Sequence, residues 1–155
     1  MTKVQAPVSQ KNQEIPKGRL LALDLGQKRV GVAVCDELQT VARALPLIQR
    51  TNWKKLLRDV IEIIEAFDAQ ALIIGLPLNM NKSESESANQ ARRIARNFSL
   101  SLKIPVFLQD ERLTSIEANR RLAEQGLGQS EIKTILDSEA AAIILQDFLS
   151  KAVSN

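Results

Sequence analysis

RLLALDLG, from Arg19 to Gly26, is the stretch that decides the fold. Its run of Leu and Ala leaves no polar face for water, which is typical of a strand buried on both sides of a sheet. A second apolar run, Val30–Cys35, begins a few residues later, so the two runs predict a hairpin. Gly26 is free to take a positive φ if the turn requires one. Asp24 lies near the end of the first strand, where a carboxylate is costly unless a cation or hydrogen bonds compensate it.

The rest of the chain predicts a third strand and then alternating helices and strands. The third strand is expected at Val41–Gln49, where Pro46 favours an edge position or a bulge. Asn52 is a suitable N-cap for a first helix. Two further strands are predicted at 71–75 and 104–108, each followed by a helix. The helix after the second of these strands starts at the capping box of Thr114 and Glu117. A last helix is predicted from about Ser130 to Leu149. This order predicts a five-stranded mixed α/β sheet, three antiparallel strands then two strand–helix units, flanked by helices.

Length and composition fit one domain at 19–150, between a flexible tail at 1–18 and a short C-terminal tail at 151–155. The net charge of +3 is concentrated in the first tail, so global charge does not argue for a nucleic-acid partner. No apolar run approaches the roughly 20 residues that cross a bilayer, and no signal-peptide pattern opens the chain. We therefore expect a cytoplasmic protein that does not insert in a membrane.

The sequence contains no histidine and a single cysteine, Cys35. This excludes a histidine general base, a Ser-His-Asp triad and zinc sites built on His or on several thiolates. Acid–base or metal chemistry must then use carboxylates, lysines, hydroxyls or bound water.

Three acids are expected at the carboxyl ends of strands, where open α/β sheets bind their ligands. They are Asp24, Asp110 and Glu111. Each could instead be a solvated turn residue or a helix cap, and Asp110 could simply pair with Arg112.

Asp137 occupies a position of the last helix where an acidic side chain is unusual. It stands in line with Ala141, Ile144 and Phe148, the apolar stripe that should face the sheet. A carboxylate there is rare unless it pairs with a buried arginine or binds a metal. Several carboxylates converging from strands and a helix would suit a hard divalent cation such as Mg²⁺, which can support phosphodiester cleavage without histidine.

Four blocks of sequence, taken in order, resemble the YqgF family. They are Leu23–Gly26 with Arg29–Ala33, Ile74–Pro77, Asp110–Ser115, and Asp137–Ala141 with Ile144–Gln146. This family, also known as RuvC-like Holliday junction resolvases or pre-16S rRNA nucleases, has a ribonuclease H-like fold. The resemblance covers about residues 19–150.

The resemblance implies a catalytic triad of Asp24, Glu111 and Asp137 that binds Mg²⁺ or Mn²⁺. It also implies a bacterial cytoplasmic hydrolase, a nuclease acting on structured nucleic acid, with the 5′-end maturation of pre-16S rRNA as its role in ribosome biogenesis. Branched DNA is the alternative substrate, cut as a Holliday junction resolvase, which requires a dimer; both a monomer and a homodimer stay open. A non-catalytic RNA-binding module of ribosome assembly or transcription, and an ATP-binding domain of the actin and sugar-kinase type, are further alternatives.

Basic and amide side chains supply the candidate contacts to a nucleic-acid backbone. They are Lys28 and Arg29 on the hairpin turn, Asn79 and Lys82 in the loop after the fourth strand, Arg92, Arg93 and Arg96 on the following helix, and Arg112. The helix arginines could equally form a solvated face, and Arg112 could hold Glu111 by an ion pair instead of a phosphate.

Overall fold

The structure is a computed structural model that describes residues 14–77, 85–111 and 119–154, with the side chains there except those of 137 and 152–154. Its strands are β1 (Leu20–Leu25), β2 (Arg29–Cys35), β3 (Ala42–Gln49), β4 (Ala71–Leu76) and β5 (Val106–Asp110). Its helices are α1 (Trp53–Phe67), α2 (Glu86–Ser101), α3 (described over 119–124) and α4 (Gln129–Ser154).

The five strands form one mixed sheet in the order β3-β2-β1-β4-β5. The pairs β1–β2 and β2–β3 are antiparallel, whereas β1–β4 and β4–β5 are parallel. This confirms the predicted fold class, three antiparallel strands followed by two strand–helix units.

The two faces of the sheet bury different helices because successive side chains of a strand point to opposite sides. Leu21 and Leu23 pack in the cluster that contains α1 and α2 residues. Leu20 and Ala22 pack in the cluster that contains α4 residues. Asp24 continues the second series, so it belongs to the α4 face of the sheet.

Two local predictions are confirmed by their hydrogen bonds and register. Asn52 caps α1, since its side chain accepts a hydrogen bond from the Lys55 backbone N–H at 2.9 Å. β3 is an edge strand, and its register against β2 shifts between Val30 and Val32, which marks a bulge beside Pro46.

Gly26 does not use its freedom to adopt a positive φ. Within the described ranges, the positive-φ glycines are Gly18 and Gly126, and Gly26 is not among them. Gly26 is needed for space instead, because a Cβ there would lie 2.6 Å from the Arg29 carbonyl oxygen. Its backbone N–H donates to that same oxygen, so the turn closes too tightly for a side chain.

Several boundaries differ from the predicted ones. β5 runs over Val106–Asp110 because its pairing with β4 continues to the end of both strands, so Asp110 lies in a strand and not in a turn. α4 continues to Ser154, so 151–154 are helical. Of the predicted N-terminal tail, residues 14–18 are described, and the Gln39 amide donates to two of their carbonyls. The capping box at Thr114 and Glu117 lies outside the described residues.

None of the helices in the described ranges has both the length and the apolar character needed to cross a membrane.

Candidate active site

Asp24 sits where β1, β2 and α4 meet. Its antiparallel partner is Gly31, and a Cβ added to Gly31 would lie 3.4 Å from the Asp24 Cβ and 3.6 Å from the Ala141 Cβ. The glycine therefore lets α4 pack against the sheet directly beside the carboxylate. Asp24 itself is half-buried.

Glu111 reaches the same place from the carboxyl end of β5, which lies two strands away from β1 and runs parallel to it. It follows β5 directly, and its backbone N–H donates to the Leu76 carbonyl at 3.3 Å. A Cβ on Gly75 would collide with the Glu111 carboxylate and would lie 2.6 Å from Ile144 Cδ1. The carboxylate therefore lies over Gly75 on the α4 face. Because Leu23 pairs with Ile74, the next residue of β1, Asp24, is beside Gly75.

The electrostatics of the pair are unfavourable without a cation. Burial, then the charge of Asp24, then that of Asp110 raise the pKa of Glu111 to about 7. Ionised Glu111 and ionised Asp24 oppose each other in a partly dehydrated site. A divalent ion or a proton would relieve this repulsion.

Asp137 lies on α4, one turn before Ala141, and therefore on the helix that packs beside Asp24. Its side chain is outside the described part of the structure, so its place in the triad stays a prediction. Among the described side chains, no group of three acids, histidines or cysteines is close enough to hold a metal ion.

A groove of about 390 Å³ opens beside Asp24, between the β1–β2 hairpin and α4. Lys28 and Arg29 line it from the hairpin, and both are exposed. Thr134 and Ser138 line it from α4. The groove leads to the Asp24 side of the acidic pair, so a ligand bound there would reach the carboxylate.

The structure separates the predicted nucleic-acid contacts into two groups. Lys28 and Arg29 lie at the Asp24 groove. Arg92, Arg93 and Arg96 are exposed on α2, which packs on the opposite face of the sheet. Arg93 also forms an ion pair with Glu86, with 3.5 Å between Nη2 and Oε2. Three further candidates, Asn79, Lys82 and Arg112, lie outside the described residues.

Two polar side chains that the sequence analysis did not single out fix α4 to the sheet. Gln109 is only 5% exposed, and its amide donates to the Asp147 carboxylate and, at 3.1 Å, to the Asp110 carbonyl. Gln146 accepts from the Ala42 N–H at 3.0 Å. These bonds tie α4 to β5 and β3, so they set the position of the helix beside Asp24. In the sequence, the indication for Gln109 was the presence of a glutamine within an apolar strand.

Arg50 fixes the hairpin turn from the other side of the sheet. Its Nη1 donates to the Gly26 carbonyl at 2.6 Å and its Nη2 to the Gln90 side chain at 3.2 Å. The turn that follows Asp24 is therefore tied to α2. In the sequence, a single arginine at a strand end does not indicate that it contacts the hairpin turn.

Among solved structures, Thermus thermophilus RuvC in complex with a Holliday junction substrate has a similar fold. The TM-score is 0.53, the identity is 15%, and the match covers 86% of this chain and 96% of that chain. This likeness shows the fold alone: the protein is an α/β domain of the RuvC-type, ribonuclease H-like class.

Sequence comparison is more specific than the fold. A family model described as "RuvX: Holliday junction resolvase" matches residues 18–151. A protein of Anaeromyxobacter sp. (strain K) is 41% identical over 133 residues, which cover 86% of this chain and 97% of that protein. One of Syntrophus aciditrophicus is 36% identical over 131 residues, covering 84% and 87%. Both bear the name "Putative pre-16S rRNA nuclease". The chain belongs to the RuvX family, also called YqgF, which confirms the resemblance, and its role is that of a nuclease.

Proposed function

We propose that this nuclease is metal-dependent and hydrolyses phosphodiester bonds in structured RNA, in the 5′-end maturation of pre-16S rRNA. The observation that carries the proposal is the pair of carboxylates, Asp24 and Glu111, brought together over Gly75 at the carboxyl ends of parallel strands. The relatives' name indicates the RNA substrate.

The donor set suits Mg²⁺ or Mn²⁺. Both acids offer the oxygen ligands that hard cations prefer. Gly75 leaves free the volume that the Glu111 carboxylate needs, and burial beside Asp24 makes an ionised Glu111 costly without a nearby positive charge. Asp24 and Glu111 would hold the ion, and the family resemblance adds Asp137 as the third ligand.

The chemistry divides between the ion and the chain. When bound, a divalent ion lowers the pKa of a water that can attack phosphorus and stabilises the leaving oxygen. The exposed side chains of Lys28 and Arg29 attract the phosphates of the incoming strand. Their place on the same groove as Asp24 orients the strand toward the acidic pair.

Branched DNA is the second candidate substrate, favoured by the family description. Resolution of a four-way junction cuts two strands and needs two active sites. This alternative therefore requires a homodimer, whereas RNA processing by the proposed site does not.

A cleavage assay tests the proposal and separates the two substrates. It compares an RNA spanning the 5′ end of 16S rRNA with a DNA four-way junction, in Mg²⁺ or Mn²⁺, for the wild type and Asp24→Asn. Asp68→Asn is the matched control, since Asp68 is an exposed residue that caps α1 in the left-handed region, which asparagine tolerates.

Cleavage of the RNA by the wild type and the control, lost by at least two orders of magnitude in Asp24→Asn, is expected. Cleavage of the junction alone would move the activity to DNA. RNA binding without cleavage of either substrate, at any metal concentration, would support the non-catalytic module and contradict the proposal.

A further inference from the structure

The two walls of the Asp24 groove carry different chemistry. The hairpin wall presents Lys28 and Arg29, which can only donate hydrogen bonds. The α4 wall presents the hydroxyl groups of Thr134 and Ser138, which stand four residues apart on one face of the helix.

Both hydroxyl protons of the α4 wall are already used within the helix. Thr134 Oγ1 donates to the Ser130 carbonyl at 3.0 Å, and Ser138 Oγ donates to the Ile135 carbonyl at 3.2 Å. A hydroxyl has one proton and two acceptor lone pairs. Each oxygen therefore offers the groove acceptor capacity, and it can donate only after its bond to the helix is broken.

Acceptors on this wall select the kind of group that can lie against it. Phosphate oxygens are themselves acceptors, so they fit the hairpin wall and not the α4 wall. A ribose 2′-hydroxyl has a proton to donate, and it is the group that distinguishes RNA from DNA.

We infer that Thr134 and Ser138 are specificity residues that accept hydrogen bonds from ribose 2′-hydroxyls of an RNA strand in the groove, while Lys28 and Arg29 hold its phosphates. This inference deepens the proposed function by assigning the choice of RNA over DNA to named side chains. It places the sugar edge of the strand toward α4 and the phosphates toward the hairpin.

The test measures binding without cleavage, so it does not depend on the proposed activity. The wild type and the double variant Thr134→Val/Ser138→Ala bind a fluorescent RNA of the 16S 5′ end and a DNA of the same sequence, in chelator and at one fixed salt concentration. Ser150→Ala is the matched control, because Ser150 is an exposed α4 serine that makes the same kind of bond, to the Gln146 carbonyl at 3.0 Å.

The wild type and Ser150→Ala should bind RNA several-fold more tightly than DNA. In the double variant the ratio of the two dissociation constants should fall toward one, through weaker RNA binding with unchanged DNA binding. The pair Thr134→Ser and Ser138→Thr, which keeps both hydroxyls, should retain the preference and separates loss of the acceptors from loss of helix structure.

Equal affinity of the wild type for RNA and DNA would overturn the inference, and so would an undiminished preference in the double variant. Cleavage by the same preparations is scored separately in Mg²⁺. If the double variant loses the RNA preference but the wild type cleaves neither substrate, the inference stands and the proposed function fails. If the wild type cleaves RNA but the double variant keeps the preference, the proposed function stands and the inference fails.

Discussion

The carboxylate of Glu111 occupies the space that a side chain on Gly75 would need. Gly75 therefore contributes to the acidic pair because it has no side chain. The relationship depends on the parallel register of β4 and β5, in which Gly75 pairs with Gln109, two residues before Glu111.

Gly75→Ala should damage both the fold and the acidic pair. The new Cβ would displace the Glu111 carboxylate and press on Ile144 Cδ1, so we expect a loss of about 1–3 kcal/mol in the free energy of unfolding. Stabilisation by Mg²⁺ should weaken as well. Urea unfolding with and without Mg²⁺ measures both effects. Gly128→Ala is the control, because its Cβ would meet only Glu131 Oε1, at an ordinary 3.5 Å; equal losses in the two variants would contradict the account.

Without metal, stability should fall as the pH rises through the titration of Glu111. Its pKa is about 7 in the folded protein against 4.5 for an unperturbed glutamate, so between these values the folded state binds more protons than the unfolded state. The free energy of unfolding should therefore decrease between about pH 4.5 and 7, by on the order of 3 kcal/mol as an upper figure. Urea unfolding in chelator from pH 5 to pH 8 measures the slope.

Glu111→Gln should remove that part of the pH dependence, because glutamine does not titrate. The exposed residue Glu62 of α1 supplies the control, and Glu62→Gln should keep the wild-type slope. Mg²⁺ should stabilise the wild type more at pH 8 than at pH 5. A slope that survives in Glu111→Gln would show that other groups carry it.

Gln109→Leu should loosen α4 from β5. It removes the amide donor of the half-buried Asp147 carboxylate, which keeps the Lys151 ammonium at 3.3 Å. We expect a loss of about 1.5–3 kcal/mol, the usual contribution of a hydrogen bond to a charged group. Asp147→Asn should cost less because the amide oxygen can still accept. A double-mutant cycle of Gln109→Leu with Asp147→Leu measures the coupling; strict additivity would show that the bond contributes nothing.

Arg50→Ala should weaken metal binding with little loss of stability. The guanidinium holds the Gly26 carbonyl and so the turn after Asp24. We expect a few-fold lower Mg²⁺ affinity and a stability loss of about 1 kcal/mol. Arg50→Lys, which keeps a single donor, should be intermediate. The exposed Arg58 of α1 gives the control Arg58→Ala, measured by the same Mg²⁺ titration; the same affinity loss there would point to net charge instead of the turn.

The sequence predicted the parts of the fold that local patterns determine. The apolar run of β1, the N-cap Asn52 and the irregular edge at Pro46 each depend on a few neighbouring residues. The end of β5 was predicted two residues early, because its extent depends on the pairing with β4 and not on its own composition.

The same distinction holds at the site. Asp24 and Glu111 were identified from their position at strand ends and from the family motif, and the structure brings them together. Gly75 and Gln109 act through the register of two strands and the packing of α4, which no spacing in the sequence displays.

The bulge of β3 also bears on how molecules of this nuclease meet one another. β3 is an edge of the sheet, its ladder slips opposite Gly31, and Pro46 has no N–H to offer. A strand from another copy finds an interrupted row of donors there, so the margin resists sheet-to-sheet aggregation. Leu47, which follows the proline, lines the Asp24 groove. The same irregularity that disfavours strand pairing at this edge therefore lies at the margin of the Asp24 groove.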